Sequence, residues 1–129
     1  MPHVILSGFA DLAKAWQEFP SGPFRLGNAV ARIEGRFMSS SQRELLLEAV
    51  VVEFGRPLHP VVLVSYRQEG TAVHLWDVVR VERTEAVKAL VALVARELLA
   101  FGAGGLVTTN LKPELLGSLA GGAVSAERG

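Results

Sequence analysis

Val61-Val62-Leu63-Val64-Ser65-Tyr66-Arg67-Gln68-Glu69-Gly70-Thr71-Ala72-Val73-His74-Leu75-Trp76-Asp77 is the stretch on which the fold turns. Two runs rich in β-branched and aromatic residues flank Gln68-Glu69-Gly70-Thr71, the pattern of an antiparallel hairpin. A two-residue turn at Glu69-Gly70 would set Tyr66 opposite Val73, Ser65 opposite His74, Val64 opposite Leu75, Leu63 opposite Trp76 and Val62 opposite Asp77. Strand side chains alternate, so Tyr66, Val73, Val64, Leu75 and Val62 share an apolar face with Asp77 at its end. Arg67, Ser65, His74, Leu63, Trp76, Val61 and Val78 share the other face, the most mixed surface in the chain.

Toward the N-terminus, residues 43–54 offer two readings. Ser41-x-x-Glu44 has the form of a helix capping box, whereas Ala49-Val50-Val51-Val52 favours a strand. The polar residues do not collect on one helical face, so a strand is expected. Ala29, Ala31, Ile33, Gly35 and Phe37 alternate with Val30, Arg32, Glu34 and Arg36, which predicts another half-exposed strand, and Met38 to Gln42 is the turn between the two. Phe9, Leu12, Ala13, Trp16 and Phe19 recur at helical steps, so residues 9–19 read as an amphipathic helix capped by Ser7 and ended by Pro20.

Toward the C-terminus, Val87, Leu90, Val91, Val94, Leu98 and Phe101 form the stripe of a helix over 83–101, with Gly102 as its C-cap. Glu85, Lys88, Arg96 and Glu97 are its only clear solvent markers, so cover on more than one side is expected, from helix 9–19, the C-terminal segment or a second copy. A short strand at 106–109 and a helix at 113–119, capped by Asn110, complete the pattern. The expected fold is α+β: a two-layer sandwich with a four- to five-stranded antiparallel meander sheet on a long helix, and shorter helices at either end. Residues 1–116 form its single domain, and the Gly/Ala/Ser-rich stretch 117–129 is expected to be a disordered tail.

Composition narrows the function classes. A chain of 129 residues with 50% apolar content suits one core. Its 13 basic and 13 acidic residues cancel, so no global field draws in nucleic acid or an anionic membrane. There is no cysteine, hence no disulfide, thiolate site or cysteine nucleophile. The N-terminus lacks a signal-peptide pattern and no apolar run approaches a membrane span, so a soluble cytoplasmic protein is expected. The Arg-rich, Lys-poor composition resembles that of a thermophile or a GC-rich genome.

Few residues suggest chemistry. Ser65 and His74, as cross-strand neighbours, could form a nucleophile–base pair, but Asp77 has the wrong strand parity for the third member. Glu48 or Glu53 would need a special register, and no nucleophile elbow surrounds Ser65. A polar cross-strand pair is the simpler reading. His3, His59 and His74 lack metal-ligand spacing, so no metal is expected and no cofactor is implied. Gly102, Gly104 and Gly105 lie between a helix and a strand, the reverse of a phosphate loop. Thr108-Thr109-Asn110 reads as a helix cap before it reads as an anion site. Arg32, Arg36, Arg67 and Trp76 could form a basic-aromatic platform, but Glu34 between the arginines favours a solvated charge ladder, and nucleic acid is not the expected partner.

The leading expectation is a non-catalytic binding or assembly module, a homodimer joined through apolar sheet and helix faces. The alternative is a carrier of a small apolar ligand, or a small enzyme, with a pocket around Ser65, Arg67, His74 and Trp76.

Overall fold

Residues 61–75 form the expected hairpin about a different turn. In the computed structural model, which describes residues 2–117, strand β6 (Val61–Arg67) pairs with β7 (Gly70–Leu75), and Arg67 opposes Gly70. The turn is therefore Gln68-Glu69. Gly70 is needed as the first strand residue: its φ is +146°, and a β-carbon there would overlap the Leu6 carbonyl oxygen of the adjacent strand. The register moves by two residues, so Ser65 opposes Ala72 and His74 opposes Leu63. A slip of two exchanges cross-strand partners yet leaves every side chain on its original face.

The expected four- to five-stranded meander on a long helix is corrected by the sheet itself, an antiparallel half-barrel of eight strands. Its long members are β3 (Ala29–Met38) and β4 (Glu44–Glu53), the latter strand running through the stretch that had two readings. Strand β2 (Phe24–Leu26) pairs with β3, and β5 (Arg56–Leu58) folds back on the end of β4. Strand β1 (His3–Leu6) lies between β7 and β8 (Leu106–Thr109), giving the order β2-β3-β4-β6-β7-β1-β8. Strands of three or four residues are too short to show alternation, and the insertion of β1 between late strands breaks the meander.

The helices are shorter than their periodicity predicts. Helix α1 (Leu12–Glu18) begins at Asp11, whose carboxylate accepts from the Lys14 N–H at 3.1 Å. Ser7, the expected cap, instead accepts from the Gly105 N–H at 3.1 Å. Helix α2 (Glu85–Glu97) starts at the Thr84 cap and gives way to a 3₁₀ turn at Leu98–Phe101, ended by left-handed Gly102. Helix α3 (Pro113–Leu116) follows Lys112; Asn110 accepts from the His3 N–H rather than capping it. The remainder of the expected tail, residues 118–129, lies outside the described residues.

Helix α2 fills the inside of the half-barrel. Val4, Leu6, Ala31, Leu45, Leu47, Val51, Val62, Val64 and Val73 from the inner sheet face are fully buried with Val87, Leu90, Val91 and Val94. Leu111 and Leu116 close one flank, and on another Phe19 stacks on Phe101 with centroids 6.3 Å apart. The nearly apolar helix is thus covered within one chain. Among the described residues, no helix is long and apolar enough to cross a membrane.

Candidate functional site

Register arranges the outer side chains of the sheet in rows. One row crosses five strands as Phe37, Leu46, Leu63, His74 and His3. Beside it lie Glu44, Ser65, Ala72, Ile5 and Thr108. On its other side Glu48 opposes Val61, whose carbonyl accepts from the Trp76 N–H at 2.8 Å; Arg32 then opposes Val50, and Val30 opposes Val52. Lateral neighbours in such rows have β-carbons about 4.5–5.5 Å apart, so the apolar members touch.

The part of this face on β3, β4 and the start of β6 lies open among the described residues, whereas Ser65, Ala72 and His74 are buried. The core residues of α1, α2 and α3 all join the inner cluster. Phe37, Val30 and Val52 are exposed, while Leu46, Val50, Leu63, Trp76 and Ile5 are half-buried. The apolar surplus of the chain therefore sits on the outer sheet face, not on the long helix.

The four residues singled out from the sequence are divided between separate environments. Ser65 and Arg67 line a depression of about 380 Å³ with Arg43, Glu44, Leu63 and Tyr66. Trp76 lines its neighbour, about 310 Å³, with Phe37, Met38, Ser39, Glu44, Leu46 and Leu63. His74 lines neither: it is 8% exposed, its Nδ1 lies 2.9 Å from the Leu75 carbonyl, and its buried Nε2 has no hydrogen-bond partner among the described residues. If Nδ1 carries the proton, Nε2 is an unsatisfied acceptor. Ser65 and His74 lie diagonally across the hairpin with no hydrogen bond between them. The geometry supplies no nucleophile–base contact.

A bulge between Ile33 and Gly35 takes the basic row apart. Beyond it Arg36 turns to the inner side, where its guanidinium donates to the Trp16 carbonyl at 3.3 Å and to Ser21 Oγ at 2.7 Å. Arg36 therefore leaves Arg32, and Phe37 takes the outer position. Of the candidate metal ligands, His3 faces His74 across β1 and β7, but no group of three or more His, Cys, Asp or Glu gathers among the described residues. The Thr108-Thr109-Asn110 hydrogen-bonding groups are used internally: Thr109 Oγ1 donates to the His3 carbonyl and accepts from the Leu111 N–H. A groove of about 680 Å³ beside residues 77–83 is lined by Asp77, Glu82, Arg80 and Arg83, charges of both signs, of which Glu82 pairs with Arg56.

The outer face carries charges of both signs. Arg25, Arg32 and Arg67 share it with Glu44 and Glu48, and the ion pairs among the described residues, Arg56–Glu82, Lys88–Glu85 and Lys112–Glu85, involve none of them. Sequence reasoning missed Phe37, Leu46 and Val50 as members of this surface. The signal was Leu45-Leu46-Leu47, a run without alternation, which marks a strand with apolar side chains on both faces. No protein-family model, curated protein or solved structure matches the chain.

Proposed function

We propose that the protein is a non-catalytic assembly module that self-associates through the outer face of its sheet as a two-fold homodimer. The observation that carries this reading is the row Phe37, Leu46, Leu63 with Trp76, Val50, Val52 and Val30, apolar across several strands and exposed or half-buried among the described residues. Contiguous apolar surface of this kind marks interaction sites. A second copy is the occupant that the charges favour: arginines and glutamates that form no ion pair among the described residues stand on one face, and a two-fold operation can set one sign against the other. The central strands project roughly 600 Å² of outer face, the lower end of what one partner gives to a stable interface. A dimer that dissociates on dilution follows.

The depression around Trp76 favours a second reading, a carrier of a small apolar ligand, because its volume of about 310 Å³ lies at the bottom of the ligand-pocket range. Sedimentation velocity over a dilution series separates the two. The dimer reading expects concentration-dependent dissociation, abolished by Val50→Lys at the centre of the face with circular dichroism unchanged. A wild-type chain that stays monomeric at every concentration, or a Val50→Lys chain that dimerises equally well, overturns it.

A further inference from the structure

The β4–β5 turn holds an aromatic ring in open solvent. Glu53 pairs with Arg56, so Phe54-Gly55 is a two-residue hairpin loop, and both residues have positive φ, 53° and 73°. That turn is best served by Asn-Gly; a bulky side chain in the left-handed region is strained there. Phe54 is also 84% exposed, more than any other large apolar side chain described. Neither burial nor turn preference accounts for a phenyl ring at this position. Local rules broken without a folding gain point to function.

What surrounds the ring narrows that function. Val52, two residues before Phe54, and its partner Val30 are 40% and 41% exposed and form the last row of the outer face. The ring therefore stands in solvent at the end of β4 that carries this row. At the opposite end of the same face lies the depression lined by Phe37, Met38, Leu46, Leu63 and Trp76. One chain thus carries both an apolar probe and an aromatic-walled receptacle, about eight residues apart along β4, or roughly 26 Å.

We infer that Phe54 is the anchor of the homodimer, seating in the Trp76 depression of a second copy while that copy's Phe54 seats in this one. The inference rests on the self-association reading above. A two-fold axis lying in the interface and crossing β4 at Val50 exchanges the two ends of the strand, so both anchors are filled at once and the assembly closes at two chains. Val50 then meets its own copy on the axis. Arg32, opposite Val50, comes within side-chain reach of Glu48 on the other chain, and the converse, which uses charges that form no ion pair among the described residues. The outer face of a half-barrel is convex, so flat apposition alone covers only a central strip. A protruding anchor supplies contact where the curvature withdraws it.

Phe54→Asn and Leu63→Glu in the full-length chain test this. Phe54→Asn should raise the melting temperature by about 3 °C, because Asn-Gly suits the turn, while weakening the dimer at least tenfold in sedimentation velocity, as loss of an aromatic hot spot does. Leu63→Glu should also weaken it, with its fold verified by circular dichroism. An equimolar mixture of the two variants should regain a heterodimer, since the Leu63→Glu chain keeps its Phe54 and the Phe54→Asn chain keeps its depression. Undiminished dimerisation of Phe54→Asn, or no recovery in the mixture, overturns the anchor. If Val50→Lys dissociates the dimer and Phe54→Asn does not, self-association stands and the anchor alone falls; a monomeric wild type removes both.

Discussion

Thr71 shows how much one buried hydroxyl can organise. It is 0% exposed, donates to the Gly8 carbonyl at 2.7 Å and accepts from the Ala10 N–H at 3.0 Å, so it ties the segment before α1 to β7. Thr71→Val keeps the shape and leaves both backbone groups without that partner; a loss of about 2–3 kcal/mol in urea denaturation is expected. His74 behaves oppositely. Its buried Nε2 has no hydrogen-bond partner among the described residues, and its Nδ1 lies 2.9 Å from the Leu75 carbonyl. The sequence made Ser65 and His74 partners because Gly70 looked like a turn residue. Its actual role, close approach to the Leu6 carbonyl, depends on a strand 64 residues away that no local pattern reveals. Face membership was legible from alternation, whereas cross-strand identity was not.

At the scale of elements, the bulge in β3 decides what α1 rests on. Without the extra residue near Glu34, Arg36 would point outward with Arg32. With it, Arg36 holds the Trp16 carbonyl and Ser21 Oγ, and Trp16 Nε1 donates to the Arg36 carbonyl at 3.2 Å. Arg36→Ala should therefore loosen α1 selectively: its amides exchange roughly tenfold faster, while those of β4 and β6 are unchanged. A Gly inside a strand pattern hints at a bulge, and Gly35 was that hint. The long strands and α2 were readable because each spans enough residues to display its period. Strands β1, β2 and β5 were not, and their omission turned a curved half-barrel into a flat two-layer sandwich. The face bearing Leu63 and Trp76 was legible, but its extension to Phe37, Leu46 and Val50 was not, because rows across strands exist only once strand order is known.

For the molecule as a whole, non-local pairing dominates. His3 opposes His74, and Val4 opposes Thr109, so the β1–β8 side of the sheet closes through contacts distant in sequence. Refolding in the millisecond-to-second range is expected in stopped-flow fluorescence, not the microseconds of a helical bundle. Net charge of zero removes long-range repulsion between copies, which suits a self-associating face but leaves no electrostatic guard over it.

The place of β1 between β7 and β8 sets an order on biosynthesis. A ribosome makes His3–Leu6 before either neighbour exists, and the second neighbour, β8, follows α2. Until β7 is made Val4 and Leu6 have no sheet to enter, and the nascent chain carries an unmatched apolar strand while β2 to β6 are synthesised. Completion of the half-barrel therefore waits for nearly all of the described chain to leave the exit tunnel, which makes the growing polypeptide a natural client for chaperones that hold hydrophobic segments.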